Sequence, residues 1–291
     1  MAIVLALCSA LAYGLSDFVG GFVSRRTSAW SVAVVGQLSA AVFTAVYATT
    51  VHGSPDGGDF AWAVLAGAAS GVGTGFLYRG FASGRMSVVA PVSAVGAAVV
   101  PVLVGTVGGE RLSLLVWIGI LCALPGIWLV ARTPADAPEA AEEVAPGATG
   151  TAKASFAEGL VDGMLAGAGF GVLFAALGQI PDSAGLWPLA AAQVFSLPAV
   201  ILIAIGMRST WLPRGRTVWW ALLAGPLGAS ATAAFLLASQ RGFLTVSGVL
   251  TSLYPATTVL LAALVLHERI HRAQGVGLGL CAIAIGLVAG G

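Results

Sequence analysis

The sequence predicts an all-α integral membrane protein in which ten transmembrane helices form two inverted five-helix repeats. Three observations lead there. First, 58% of the 291 residues are hydrophobic and only 9% are charged, with a mean hydropathy of +0.97, whereas a soluble globule needs roughly 25% charge to cover itself. Second, the apolar residues fall into runs of about 20, the length that crosses a bilayer as a helix. Third, the two halves of the chain carry related residues in the same order, as a duplication would leave them.

The first run, 2–23, has no basic segment before it and continues to Arg25 and Arg26, so it reads as a retained span rather than a cleaved signal. Spans 30–51, 60–79, 86–108 and 113–131 follow, separated by charged or turn-rich breaks at Gly53, Gly84 and Gly109. The stretch TPADAPEAAEEVAPGATGTAKAS, residues 133–155, is rich in Pro, Ala and Glu and lacks apolar periodicity, which predicts a flexible connector. Spans 157–178, 185–206, 217–239, 243–266 and 273–290 complete the chain. The predicted organisation is therefore one repeat over 1–132, a linker over 133–155 and a second repeat over 156–291.

The 40 glycines lie largely inside these runs. Spacings of four, as in Gly67, Gly71, Gly75 and Gly163, Gly167, Gly171, suit close helix crossings. GVGTG and GAGFG are not dinucleotide loops, since no strand precedes them. Cys8, Cys122 and Cys281 are far apart and offer neither a disulfide framework nor zinc spacing. His52, His267 and His271 lie near loops, without a carboxylate or thiol cluster, so no metal, cofactor or catalytic triad is expected. The net charge of +1 gives no reason to expect nucleic acid as a partner.

At a shift of about 158 residues, Gly84, Ser87 and Val88 face Gly242, Thr245 and Val246, and GERL from Gly109 faces HERI from His267. A shift of about 156 sets Gln37 against Gln193. Five spans per repeat force the second copy into the membrane in the opposite sense, and inverted repeats of this kind build transporters with a site between the halves. Eleven of the thirteen basic residues fall in loops on one face, Arg111 and Arg241 being the others. By the positive-inside rule that face is cytoplasmic and both termini lie outside. Trp30, Trp62, Trp117, Trp187, Trp211, Trp219 and Trp220 fall near span ends, where indoles favour the interface.

Polar residues inside the spans are the candidates for chemistry. Asp17, with Tyr13 one turn earlier, is costly in an apolar run unless it faces protein, water or a partner. It is either a proton-coupling or substrate-amine site, since an enclosed carboxyl group can take up and release a proton, or an interfacial partner of Arg25 or Arg26. Gln37 and Gln193 either bracket a polar substrate or hold helices together. The fourth span carries Ser87, Pro91, Ser93 and Pro101, and the ninth carries Thr251, Ser252, Tyr254 and Pro255 among other hydroxyls. Proline frees backbone carbonyls that hydroxyls, water or ligand must satisfy, so these helices either line a polar cavity or shape their own kinks. Glu110 with Arg111 and Glu268 with Arg269 read as boundary pairs or caps, and Arg79 beside Tyr78 as a snorkelling cation.

Two segments carry a resemblance, FLYRGFASGRMSVVAPVSAVGAAVVPVLVGTVGGERLS from Phe76 and ASQRGFLTVSGVLTSLYPATTVLLAALVLHERIHRAQGVGLG from Ala238. With them the chain resembles proteins of the drug/metabolite transporter superfamily built from two EamA-type domains. The resemblance implies a ten-helix basket whose third, fourth, eighth and ninth spans line much of a central cavity, with the first and sixth contributing. It implies cavity roles for Tyr13, Asp17, Gln37, Gln193 and the ninth-span hydroxyls. Gln37 stands where relatives often carry Arg, and relatives are usually drawn with cytoplasmic termini, against the charge count followed here.

The expected function is secondary transport by alternating access, driven by a gradient, since no nucleotide motif is present. Export of amino acids, related metabolites or amphipathic cations is the leading reading, with Asp17 as the proton-coupling candidate, from a bacterial plasma membrane and as a monomer or homodimer. An intramembrane enzyme acting on a lipid-linked substrate would need a cluster of catalytic groups, and a membrane scaffold would need no cavity.

Overall fold

A computed structural model describes residues 1–131, 149–265 and 270–291. Glu268, Arg269 and most of the connector, 132–148, lie outside the described residues. Every span is helical, and among the described residues ten helices are long and apolar enough to cross a membrane. Bilayer hydrocarbon offers no water to the backbone, so each crossing satisfies its own N–H and C=O groups along the helix. The first repeat supplies α1 (Ala2–Ser24), α2 (Ala29–Ala48), α3 (Gly57–Ala82), α4 (Met86–Val107) and α5 (Leu114–Ala131). The second supplies α6 (Thr149–Leu177), α7 (Trp187–Gly206), α8 (Ala224–Gln240), the pair α9 (Leu244–Thr251) and α10 (Tyr254–Val265), and α11 (Arg272–Gly290). The chain is an all-α integral membrane protein.

Three spans depart from expectation. The ninth, expected as one helix over 243–266, breaks at Ser252 and Leu253. Pro255 has no N–H to return to the carbonyl of Thr251, four residues before it, so the ladder stops there. The sixth begins at Thr149, inside the stretch expected as a flexible linker over 133–155, where Ala152, Lys153, Ala154, Ala157 and Glu158 are good helix formers. The eighth enters through a 3₁₀ turn at Thr217–Leu223 before becoming α-helical.

The helices pair chiefly across the repeats. α1 packs on α8 as α6 packs on α3; α1 packs on α9 and α10 as α6 packs on α4; α2 meets α8 as α7 meets α3. α2 with α7, α4 with α9, and α5 with α11 close the set as pairs of equivalents. This is the pattern a two-fold axis in the membrane plane produces. Glycine sets the close crossings: a Cβ on Gly167 of α6 would lie 3.0 Å from Gly96 Cα of α4, and one on Gly71 of α3 would lie 2.6 Å from the Ser196 carbonyl of α7.

Successive helices alternate direction, so one face carries the N-terminus and the opposite, basic face carries Arg25, Arg26, Arg79, Arg85, Arg208, Arg214 and Arg216. Trp30 falls at the start of α2, as expected, but points into the protein and not toward lipid. It is 4% exposed and meets Phe76 edge-on at 5.9 Å, because its ring fills the space above Gly75 on α3. Trp219 and Trp220 remain exposed, as interfacial indoles would be.

Candidate functional site

Between the repeats lies a cavity of about 60 Å³. At roughly 10–15 Å³ of accessible volume per water it has room for about four to six water molecules. Its walls come from both halves: α1 gives Tyr13, Ser16 and Asp17, α2 gives Gly36 and Gln37, and α3 gives Ser70, Thr74 and Tyr78. Opposite them stand Phe170 and Phe174 of α6, Gln193 of α7, Gly225, Gly228 and Thr232 of α8, and Tyr254 at the start of α10. Asp17 is the one charged side chain among the described lining residues, and it makes no ion pair among the described residues. The structure thus sets Asp17 in the cavity wall and not in a salt bridge with Arg25 or Arg26.

The aromatic wall is fixed by packing and by hydroxyls. Tyr13 OH shares a hydrogen bond with Thr232 Oγ1 at 2.8 Å, across the repeats, and its ring lies edge-on to Phe174 at 5.7 Å. Phe174 stacks on Phe235 at 4.4 Å, which anchors the edge of the cavity nearer the N-terminal face. Tyr254, 6.4 Å from Tyr13, shares a hydrogen bond with Ser93 Oγ at 3.2 Å. Tyr78 lies against Gly20 of α1, where any Cβ would displace its ring. Three of the four tyrosines in the chain therefore face one carboxylate.

The polar wall is built from amides and hydroxyls. Gln37 Nε2 donates to Ser70 Oγ and Thr74 Oγ1, both at 3.2 Å, which orients its carboxamide and ties α2 to α3. Gln193 enters the same cavity from α7, so the two glutamines matched by the sequence shift line one cavity. Ser16 Oγ donates to the Ala224 carbonyl at 3.0 Å, and Ser9 Oγ to the Ala231 carbonyl at 2.7 Å, stitching α1 to α8 beside the site.

Of the expected site residues, Tyr13, Asp17, Gln37, Gln193 and Tyr254 are brought together. The others are not. Thr251 Oγ1 donates to the Ala6 carbonyl of α1 at 3.4 Å, and the hydroxyl of Ser252, fully buried at the helix break, has no hydrogen-bond partner among the described residues. Pro255 and Pro91 are buried in packing rather than in the wall. Ser93 stands behind Tyr254 and also bonds the Ala90 carbonyl of its own helix at 3.0 Å. The side chain of Ser87 lies outside the described residues. α4 contributes nothing to the described lining because its inner side is taken up by α6 and α9, with Gly248 pressed against Pro101. Of the spans that the resemblance sets around the cavity, the third and eighth line it with the first and sixth, the ninth gives Tyr254, and the place expected for the fourth is taken by the second and seventh.

Sequence reasoning missed Asp162. It is fully buried in α6, accepts from Arg79 Nε at 2.8 Å and from Arg79 Nη2, and lies 3.5 Å from Arg85 Nη1. Arg85 Nη2 also pairs with Glu158 at 3.0 Å. Arg79 is therefore turned into the protein and does not snorkel outward. The signal was an acid inside the sixth apolar run, hidden by its closeness to the polar connector. On the opposite face Glu110 is a cap, as expected, but for a helix of the other repeat: its carboxylate accepts the N–H groups of Leu244 at 2.5 Å and Thr245 at 3.0 Å.

A solved structure known only as the crystal structure of a protein is similar in fold, with a TM-score of 0.68 at 15% identity, the alignment covering 98% of this chain and 95% of that one. No curated protein matches the sequence. The sequence profile of the EamA-like transporter family matches twice, over residues 1–132 and 158–290, one match to each set of five spans. With two repeats, ten spans and a cavity between them, this chain belongs to the EamA-like transporter family and is an integral membrane transporter of small molecules.

Proposed function

We propose that the protein is a secondary exporter working by alternating access, with Asp17 as its coupling residue. The observation that carries this is the single unpaired carboxylate, among the described residues, facing a polar and aromatic cavity between the repeats. A carboxylate there must be neutralised by a proton or by a cationic group before its surroundings can close, and either partner is carried across when the site reopens. With three tyrosines and no basic side chain in the described lining, the site suits the ammonium end of a solute better than an anion. Amino acids, related amine metabolites and amphipathic cations are the classes to examine.

Alternating access requires the helices around the cavity to part, first on one face and then on the other. The repeats over 1–132 and 156–291, joined by the connector, interlock helix by helix, so that motion runs along the seams between helices of opposite repeats. The excess of basic residues on the face opposite the termini supports an orientation with both termini outside the cytoplasm of a bacterial plasma membrane. The test is a flux screen in proteoliposomes under an imposed pH gradient, with amino acids, nucleosides and cationic dyes, against empty liposomes. Gradient-dependent flux of an amine or cation that Asp17→Asn uncouples supports the proposal. Absence of flux across the panel, from folded and inserted protein, refutes it.

A further inference from the structure

We propose that Arg79, Asp162 and Arg85 form the gate that closes the cavity toward the basic face, and that the resting protein opens toward the N-terminal face along the α1–α8 seam. The inference rests on the alternating-access reading above. Asp162 lies six residues beyond Phe156, roughly 9 Å along the helix at 1.5 Å per residue, and its side chain is 0% exposed. It is held from α3 by two donors of Arg79 and from the start of α4 by Arg85. The Arg79 guanidinium also lies 4.9 Å above the Phe76 ring, and its Nη1 reaches Met207 Sδ, at the end of α7, at 3.3 Å. One cluster thus binds two helices of the first repeat to two of the second at one end of the molecule.

Its chemistry suits a reversible contact. Burying the charges costs desolvation that the pairing only offsets, so the cluster adds little as a permanent brace. When the seam parts toward the aqueous phase, water solvates the same charges, and the contact can break without leaving an orphaned ion.

The repeat symmetry shows that this device is one-sided. A shift of about 158 sets Arg79 against Leu237 and Asp162 against Val4, so the equivalent seam, α1 with α8 at the N-terminal face, has no ion pair at the matching positions; Arg241, at the end of α8, donates to the Leu237 carbonyl at 3.3 Å. Beside it an apolar groove of about 240 Å³ runs between α2 and α8, lined by Phe43, Thr44, Tyr47, Ala233 and Leu237, with Leu5 of α1 at its edge. The hydroxyl of Thr44 beneath it is buried with no partner among the described residues. One seam is locked by buried ion pairs, while its symmetry mate is joined by neutral hydrogen bonds and borders an apolar groove, which biases opening to the N-terminal face.

The experiment uses the full chain with Cys8, Cys122 and Cys281 replaced by Ala, and a reporter thiol in the cavity wall, Ala40→Cys. Thr210→Cys and Ser54→Cys, in exposed loops, identify the basic and N-terminal faces. A membrane-impermeant maleimide is applied to each face. The reporter should react faster from the N-terminal face. Asp162→Asn should raise the rate from the basic face roughly tenfold or more and lower the rate from the other. Arg85→Gln, which spares the inner pair, should give a smaller shift in the same direction, and Arg79→Asp with Asp162→Arg should restore the original ratio. A rate that rises equally on both faces in Asp162→Asn means loosened packing and overturns the gate. If solute redistributes the wild-type rates but Asp162→Asn leaves them unchanged, the gate fails and the transport reading stands. Rates that neither solute nor gradient redistributes would remove the transport reading, and the gate with it.

Discussion

Replacing Arg79 with Ala tests whether the buried anion on α6 depends on it. Asp162 is 0% exposed, while the Arg79 and Arg85 side chains are 25% and 18% exposed. Removing one partner of a buried pair costs about 3–5 kcal/mol, because the remaining charge stays desolvated. Arg85 is retained 3.5 Å from the second carboxylate oxygen and takes over part of the load, so the low end, about 3 kcal/mol, is expected. At roughly 2–4 °C per kcal/mol this lowers the melting temperature by roughly 6–12 °C. The converse change, Asp162→Asn, leaves the more exposed partner, which water can reach, and should cost about 1 kcal/mol or less. Thermal unfolding in lipid nanodiscs, followed by tryptophan fluorescence, measures both. A shift below roughly 2 °C for Arg79→Ala, or one no larger than that of Asp162→Asn, would refute the claim that the buried Asp162 side chain depends on Arg79.

Asp17→Asn should abolish flux driven by a pH gradient while leaving the folded protein able to bind solute; gradient-driven flux unchanged at every pH would exclude Asp17 as the coupling residue. Gly225→Ala should fail to assemble, since the new methyl would sit 2.6 Å from the backbone nitrogen of Ala40, whereas at Gly36 the nearest atom is 3.9 Å away. Gly36→Ala should therefore fold and slow the bulkier solutes selectively, read as a change in relative flux across a size series. Glu110→Ala should cost about 1–2 kcal/mol by leaving two helix-end N–H groups of α9 unpaired, with Glu110→Gln intermediate, by the same unfolding assay. Tyr254→Phe removes the shared hydrogen bond with Ser93 and should weaken solute affinity several-fold if that ring is held in place for binding, read from concentration dependence of flux.

The spans were legible because each must meet the bilayer's demand alone: about 20 apolar residues with the backbone satisfied internally. The repeat was legible in Gln37 and Gln193, and the family resemblance in the segments from Phe76 and Ala238. Asp17 stood out because a carboxylate is costly in any apolar run. The break at Ser252 was not legible, since proline inside a membrane helix can bend it or end it according to its neighbours. The inward turn of Arg79 was equally hidden, as its partner is 83 residues away in sequence.

By itself the sequence determined that this protein lives in a membrane, crosses it ten times and is doubled. Only the tertiary structure decided which side of each helix faces the cavity: Gln37, Ser70 and Thr232 inward, Thr251 and Ser252 into packing, Trp30 into the core. The reason is the solvent. In water an apolar stripe marks the buried side of a helix, but in lipid the outward side is apolar too, and helices associate through small residues and scattered polar contacts. The side that lines the site is then fixed by how ten helices pack together, which no single span encodes.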